Sequence, residues 1–135
     1  LTPDSPPPKK RRVSARGSKE KGAQFERDLA AKLNADLGLS SARSKITTPF
    51  LPTRGVGMPD LVGTPLLSIE AKRQETLEYR KALIQARRNA SGGDLPVVIS
   101  RKNNESIDDA VCFMRLSDFL KLYKKALVAH GLLSR

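Results

Sequence analysis

The sequence predicts an α/β domain in which helices flank a central mixed sheet. Three observations lead there. Segments near both ends carry apolar residues at helical spacing, two regions between them run or alternate as strands do, and a further helical pattern separates those two regions. The predicted order is helix, three strands, helix, two strands, helix, with no internal repeat. A chain of 135 residues suits one domain, so most of its 39% apolar content must form one core.

Each element has its own signal. From Ser18, the residues Phe25, Leu29, Leu33 and Leu37 recur every four positions beside Ala30, and Gly38 supplies a stop. A short extended segment is expected from Ser41 to Thr48, and Pro49, Pro52, Gly55 and Gly57 then mark a loop. Leu67, Ile69 and Ala71 alternate with Ser68, Glu70 and Lys72, as in a half-buried strand. The shorter run Asp60-Leu61-Val62-Gly63 precedes it across Gly63-Thr64-Pro65, which predicts an antiparallel hairpin. A second helix is expected from Thr76 to Asn89, with Leu77, Ala82, Leu83 and Ala86 inward and Arg80, Lys81, Arg87 and Arg88 outward. Pro96 to Arg101 reads as a buried strand, with Ala110 to Arg115 as its partner. A final helix, capped by Ser117, carries Phe119, Leu120, Tyr123, Leu127 and Val128 as far as Gly131.

Composition narrows the function. The 25 basic and 14 acidic residues give a formal charge of +11. Residues 1–22 hold seven basic and two acidic groups, and the remainder is basic as well. Positive charge on both parts points to a polyanion, since Lys and Arg displace counterions from nucleic-acid phosphates; a basic protein with no such partner is the plain alternative. Four Phe and two Tyr are too few for base-stacking platforms, so backbone contact is expected. One cysteine and one histidine exclude disulfide scaffolds and Cys/His zinc sites. Cys112 reads as a small core residue and His130 as a helix-terminal group. No apolar run is long enough to cross a bilayer, and the N-terminal stretch lacks the apolar segment of a secretory signal. The chain is therefore expected to be soluble and unsecreted, in the cytoplasm.

Residues 1–22 are expected to form a disordered arm, because the prolines from Pro3 to Pro8 and the run Lys9-Lys10-Arg11-Arg12 have nothing to bury. The run serves as a DNA-binding arm or, read as Pro-Lys-Lys-Arg-Arg-Val, as a nuclear localisation signal. Residues 23–135 are then the folded domain.

The chemistry centres on Gly57-Met58-Pro59-Asp60 and Glu70-Ala71-Lys72. In the expected hairpin Asp60 lies beside Glu70, while alternation sets Glu70 and Lys72 on one face, about 6–7 Å apart. Two converging carboxylates repel unless a cation sits between them, and hard oxygen ligands favour Mg²⁺ or Mn²⁺. Such an ion acidifies a bound water and neutralises charge on a scissile phosphate, and Lys72 beside it is placed to orient the water or stabilise the phosphate. An isolated Glu-x-Lys is ordinarily a solvated ion pair. Here it closes an apolar strand shortly after a Gly-x-Pro-Asp turn.

Pro59-Asp60-Leu61-Val62-Gly63 and Leu67-Ser68-Ile69-Glu70-Ala71-Lys72-Arg73, preceded by Phe25-Glu26-Arg27-Asp28-Leu29, resemble the PD-(D/E)XK nuclease superfamily, and within it the small Holliday-junction resolvases of archaea and phages. The resemblance extends from about Glu26 to Leu120. It implies a restriction-endonuclease-like core and a Mg²⁺-dependent (or Mn²⁺-dependent) endodeoxyribonuclease that acts on branched DNA as a homodimer. By the same resemblance Asp60, Glu70 and the Ala71 carbonyl hold the metal, Lys72 is the catalytic lysine, and Glu26 completes the site from the first helix; an ordinary helix glutamate is the other reading of Glu26. Gln85, on the following helix, is either a catalytic-site polar residue or a surface glutamine beside Arg87 and Arg88. Arg54, Arg73, Arg101 and Lys102 are candidate phosphate contacts alongside the arm, and Ser44, Thr47 and Thr48 are placed to touch the DNA backbone. The alternatives to a resolvase are a restriction- or repair-type nuclease of the same superfamily acting on duplex DNA and a non-catalytic basic DNA-binding module.

Overall fold

Alternation along the two longest strands builds the domain. A computed structural model of the chain describes residues 15–44 and 58–135. In chain order the elements are α1 (Ala15–Leu37), β1 (Ala42–Arg43), β2 (Leu61–Val62), β3 (Leu67–Arg73), α2 (Tyr79–Asn89), β4 (Leu95–Arg101), a 3-10 turn (Ile107–Asp109), β5 (Val111–Phe113) and α3 (Leu116–Ala129). The β3, β4 and β5 strands form a mixed sheet in that order: β3 runs parallel to β4 with Glu70 opposite Val98, and β5 lies antiparallel on the other side of β4. The parallel pair requires a crossover, and α2 supplies it.

Odd-numbered and even-numbered strand residues pack against different helices. Ile69, Val97 and Ile99 join Phe25, Leu29, Ala30 and Leu61 in one buried cluster, which places α1 on that face. Val98 joins Ala82 and Ala86 in a second cluster, edged by Leu77, Leu83 and Phe113, which places α2 on the other. Both faces being covered explains why Ser68, Ile69 and Glu70 are buried in succession, where a half-buried strand would expose every second residue. Glu70 therefore faces α2.

The expected α/β order holds, with local corrections. The first helix begins at Ala15, three residues before the expected start at Ser18 and inside the stretch read as an arm, because residues 15–22, about two turns, include good helix formers. Its stripe ends at Leu33; Leu37 is exposed beside Gly38, which turns the chain at a positive φ. The regular 60–72 hairpin is absent. The short β2 pairs with β1; along β3 the Asp60 N–H donates to the Ile69 carbonyl, and the Leu67 N–H closes the intervening turn onto the Thr64 carbonyl. The second helix starts at Tyr79, three residues later than expected, with Glu78 at the N-cap; just before it Glu75 accepts from the Asn103 backbone N–H. Ser117 lies inside the first turn of α3, where Arg115 is the N-cap and its guanidinium pairs with Asp118. Cys112 is exposed, because β5 is an edge strand. His130 closes α3 through its backbone, donating to the Ala126 carbonyl. Lys9, Lys10, Arg11, Arg12, Thr47, Thr48, Arg54 and the loop from Pro49 to Gly57 lie outside the described residues. Among the described residues no helix is long and apolar enough to cross a membrane.

Gly63 is where the Asp60 segment presses closest to α1's end. It adopts φ +72°, and a Cβ there would sit 2.3 Å from the Ser40 carbonyl oxygen. Gly92 has a similar φ of +62° with open space around it. Gly92→Ala should cost about 1 kcal/mol of backbone strain. Gly63→Ala should cost at least about 2 kcal/mol more, since backbone must move as well. Denaturant midpoints of the two variants check this ordering.

Candidate active site

Three catalytic candidates meet beside β3. Glu70 is fully buried at mid-strand, and its Oε1 accepts a hydrogen bond from the Asn89 side-chain amide at 2.6 Å. One residue pair further along the same face, Lys72 Nζ donates to Gln85 Oε1 at 2.7 Å. Asn89 and Gln85 are one turn apart on α2, so the crossover helix reads the strand in register. Asp60 comes in along the free edge of β3. Its backbone N–H donates to the Ile69 carbonyl and its Oδ2 accepts from the Ala71 N–H at 2.8 Å, so its backbone and carboxylate bracket Glu70. Ser44 secures the approach: its N–H donates to the Asp60 carbonyl and its hydroxyl to the Pro59 carbonyl.

The electrostatics follow from this packing. Burial pushes the Glu70 carboxyl up to about 7 from the ordinary 4.5; the Asn89 hydrogen bond opposes the rise, the neighbouring Asp60 carboxylate adds to it, and Lys72 opposes it more weakly. Glu70 Oε2 is buried without a hydrogen-bond partner. Two carboxylates offer only acceptors to each other, so a proton or a cation is needed between them. An orphaned, buried carboxylate oxygen beside a second carboxylate fits a hard divalent cation, held by Asp60 and Glu70. Among the described residues no three His, Cys, Asp or Glu side chains gather into a group able to hold an ion, so an ion bound by this pair would need its further ligands from backbone, water or substrate.

Glu26 stands apart from that pair. Its Oε2 accepts from Arg43 Nε at 2.6 Å, and only 17% of its side chain is exposed. The carboxylate near the buried stripe of α1 thus has a cationic partner, and Arg43 immediately precedes the Ser44 tether. Arg101 is also engaged within the fold: it donates to the Glu105 carbonyl at 2.6 Å, pairs with Asp28 at 3.4 Å and lies over the Phe25 ring, which makes it a latch rather than a free phosphate contact. Arg73 is half-buried with its Nε unpartnered, in a groove shared with Gln24 and Arg27. Lys102 is exposed, and its backbone N–H bonds Glu105. Sequence reading passed over Arg43 and Asn89. Asn89 carried a signal, since an amide at the end of an apolar helix stripe must be either exposed or satisfied; Arg43 carried none.

No family model, curated protein or solved structure matches the chain.

The raised Glu70 pKa has a definite sign in stability. The folded chain holds this proton at higher pH than the unfolded chain, so the contribution is fully present below about pH 4.5 and is lost as pH rises through about 7. In EDTA, raising the pH from 5 to 8 should lower the unfolding free energy of wild type by roughly 2–3 kcal/mol more than that of Glu70→Gln. Parallel profiles for the two proteins would contradict the buried-carboxyl account.

Proposed function

We propose that the chain is a Mg²⁺- or Mn²⁺-dependent DNA endonuclease of the PD-(D/E)XK type, resolving branched DNA. The observation that carries this reading is the placement of Asp60 against Glu70, with Lys72 on the same face and an orphaned carboxylate oxygen between the acidic groups. A restriction-endonuclease-like core is part of the proposal. It is supported by the parallel β3–β4 pair with α2 as crossover, the antiparallel β5, and the siting of the candidate residues on β3 and the segment before it.

In this reading Asp60 and Glu70 hold the metal. A divalent cation bound there supplies Lewis-acid stabilisation of the phosphate and a more acidic water. Asn89 fixes Glu70 through Oε1, which leaves Oε2 for the ion. Lys72 carries an ammonium whose direction is set by Gln85, so its charge can meet a phosphate oxygen or hold the attacking water. Gln85 is thus a positioning residue. Lys81 and Arg88 lie one turn to either side of Gln85 on α2, which offers positive charge to the flanking phosphates. Arg43 is a further candidate contact, oriented by Glu26.

A labelled four-way junction incubated with the protein and Mg²⁺ tests the proposal. Wild type should make paired nicks that EDTA abolishes. Asp60→Ala, Glu70→Ala and Lys72→Ala should each slow cutting by about 10²–10³-fold or more while junction binding persists. Gln85→Ala should have a smaller effect, on the rate rather than on binding. Cleavage that survives EDTA or the carboxylate substitutions would remove the site. Equal cutting of linear duplex would favour a restriction- or repair-type nuclease, and binding without any cutting would favour a DNA-binding module.

A further inference from the structure

A groove of about 860 Å³ opens where the C-terminal half of α3 stands away from the starts of β3 and β4. Asp118 is the buried residue of α3, and beyond it the helix carries only half-buried and exposed side chains. The groove runs between this half of the helix and the turn that joins α2 to β4, which contributes Gly92 and Gly93 to its lining. Leu66, Leu95, Val128 and Ala129 give it apolar walls. Its cations are Lys121, Lys124 and Lys125 on α3 and Arg135 beyond it, and Asp94 is the one acidic side chain among the described lining residues. At 3.6 residues per turn, Lys121, Lys124, Lys125 and Val128 share an arc of about 100°. The exposed stripe of Leu116, Phe119, Leu120 and Tyr123 occupies a separate arc and takes no part in the groove.

Two features of this groove call for an occupant. The first is charge without a partner. Lys121 approaches Asp118 only to 3.9 Å, and Asp118 is already held by Arg115 at 3.1 Å. Among the described residues Lys124 and Lys125 pair with no carboxylate, so three ammonium groups repel one another within little more than a turn. The second is Leu66, held at φ 75° and 50% exposed on the groove wall. Glycine would take that φ at lower cost, so what leucine adds there is apolar surface. We propose that the groove binds an acidic peptide segment of a partner protein in extended form, with one apolar side chain between Leu66, Leu95 and Val128 and carboxylates on either side meeting the lysines and Arg135. The helix from Lys121 to Ala129 is about 12 Å long, which matches about four residues of extended chain. A nucleic-acid backbone would answer the lysines but has nothing to cover the apolar walls, and a membrane surface is too flat to enter a groove. The groove lies about 20 Å along β3 from Lys72, away from the candidate active site, so the proposal stands whether or not the chain cuts DNA.

Fluorescence anisotropy of the full chain with a fluorescein-labelled eight-residue peptide, a single leucine among aspartates, in about 0.15 M salt tests this. Wild type should bind the peptide saturably, and exchanging the peptide's leucine for serine should weaken binding at least ~10-fold. Lys121→Glu combined with Lys124→Glu should also weaken it at least ~10-fold. Arg80→Glu combined with Arg87→Glu makes the same change of charge on α2 and should leave the affinity within about twofold, since distant charges are screened. Leu66→Gly should lose about 3–10-fold with an unchanged far-UV circular dichroism spectrum, because glycine accepts the positive φ. No saturable binding would overturn the proposal, as would equal binding of the serine peptide or an equal loss in the α2 variant. If duplex DNA, and not the peptide, shows the dependence on Lys121 and Lys124, the groove belongs to nucleic acid and the peptide proposal falls.

Discussion

The rest of the structure is arranged around one costly placement, a carboxylate buried at mid-strand next to another. Removing Glu70 from water and bringing Asp60 beside it disfavours the charged form that a metal site would need. The fold offsets this only in part. Asn89 satisfies one oxygen, and Lys72 lies near enough to contribute a weak opposing field. The other oxygen is left with no partner. A small domain whose apolar residues are already divided between two clusters gains nothing in stability from such an arrangement, because an apolar residue at position 70 would pack between the sheet and α2 at lower cost. The arrangement is explicable if a cation completes it.

Both faces of the sheet serve that placement. The crossover helix follows β3 directly, so even-numbered side chains of the strand and side chains of α2 are bound into one register, with Glu70 against the buried Asn89 and Lys72 against the exposed Gln85. Asp60 cannot reach the same point from within the sheet. It arrives through a separate segment, pinned by Ser44, squeezed past Ser40 at Gly63 and turned at Pro65-Leu66, where Leu66 itself takes a positive φ of 75°. Backbone strain is thus spent on bringing in the second carboxylate. The Glu26–Arg43 pair lies on the same approach, linking α1 to the residue before the Ser44 tether.

The parts legible in the sequence are those governed by periodicity. The α1 stripe as far as Leu33, the α2 face and the β4 run follow from which residues must leave water, whereas the β3 alternation hid a strand covered on both faces, and Asp60 comes beside Glu70 along the free edge of β3 and not through the expected hairpin. What periodicity missed depends on side-chain hydrogen bonds across the fold. Whether Glu26 faces an ion or Arg43, whether Asn89 serves as a helix end or as the clasp of Glu70, and whether Arg101 is free or latched to Asp28 are decided by partners 17 to 73 residues away. The α3 stripe shows the opposite failure. Its spacing gave the right helix, but helical amphipathicity indicates only that a face will be covered and does not say by which molecule.

The most direct test of the account is metal binding itself, apart from any DNA. Titrating the full chain with Mn²⁺ at pH 8 and following free Mn²⁺ by electron paramagnetic resonance should show saturable binding in wild type. Glu70→Gln, which keeps the shape and the Asn89 contact but removes the charge, should abolish it. Undiminished binding by Glu70→Gln, or none by the wild-type protein, would contradict the claim that the buried carboxylate pair exists to hold a cation.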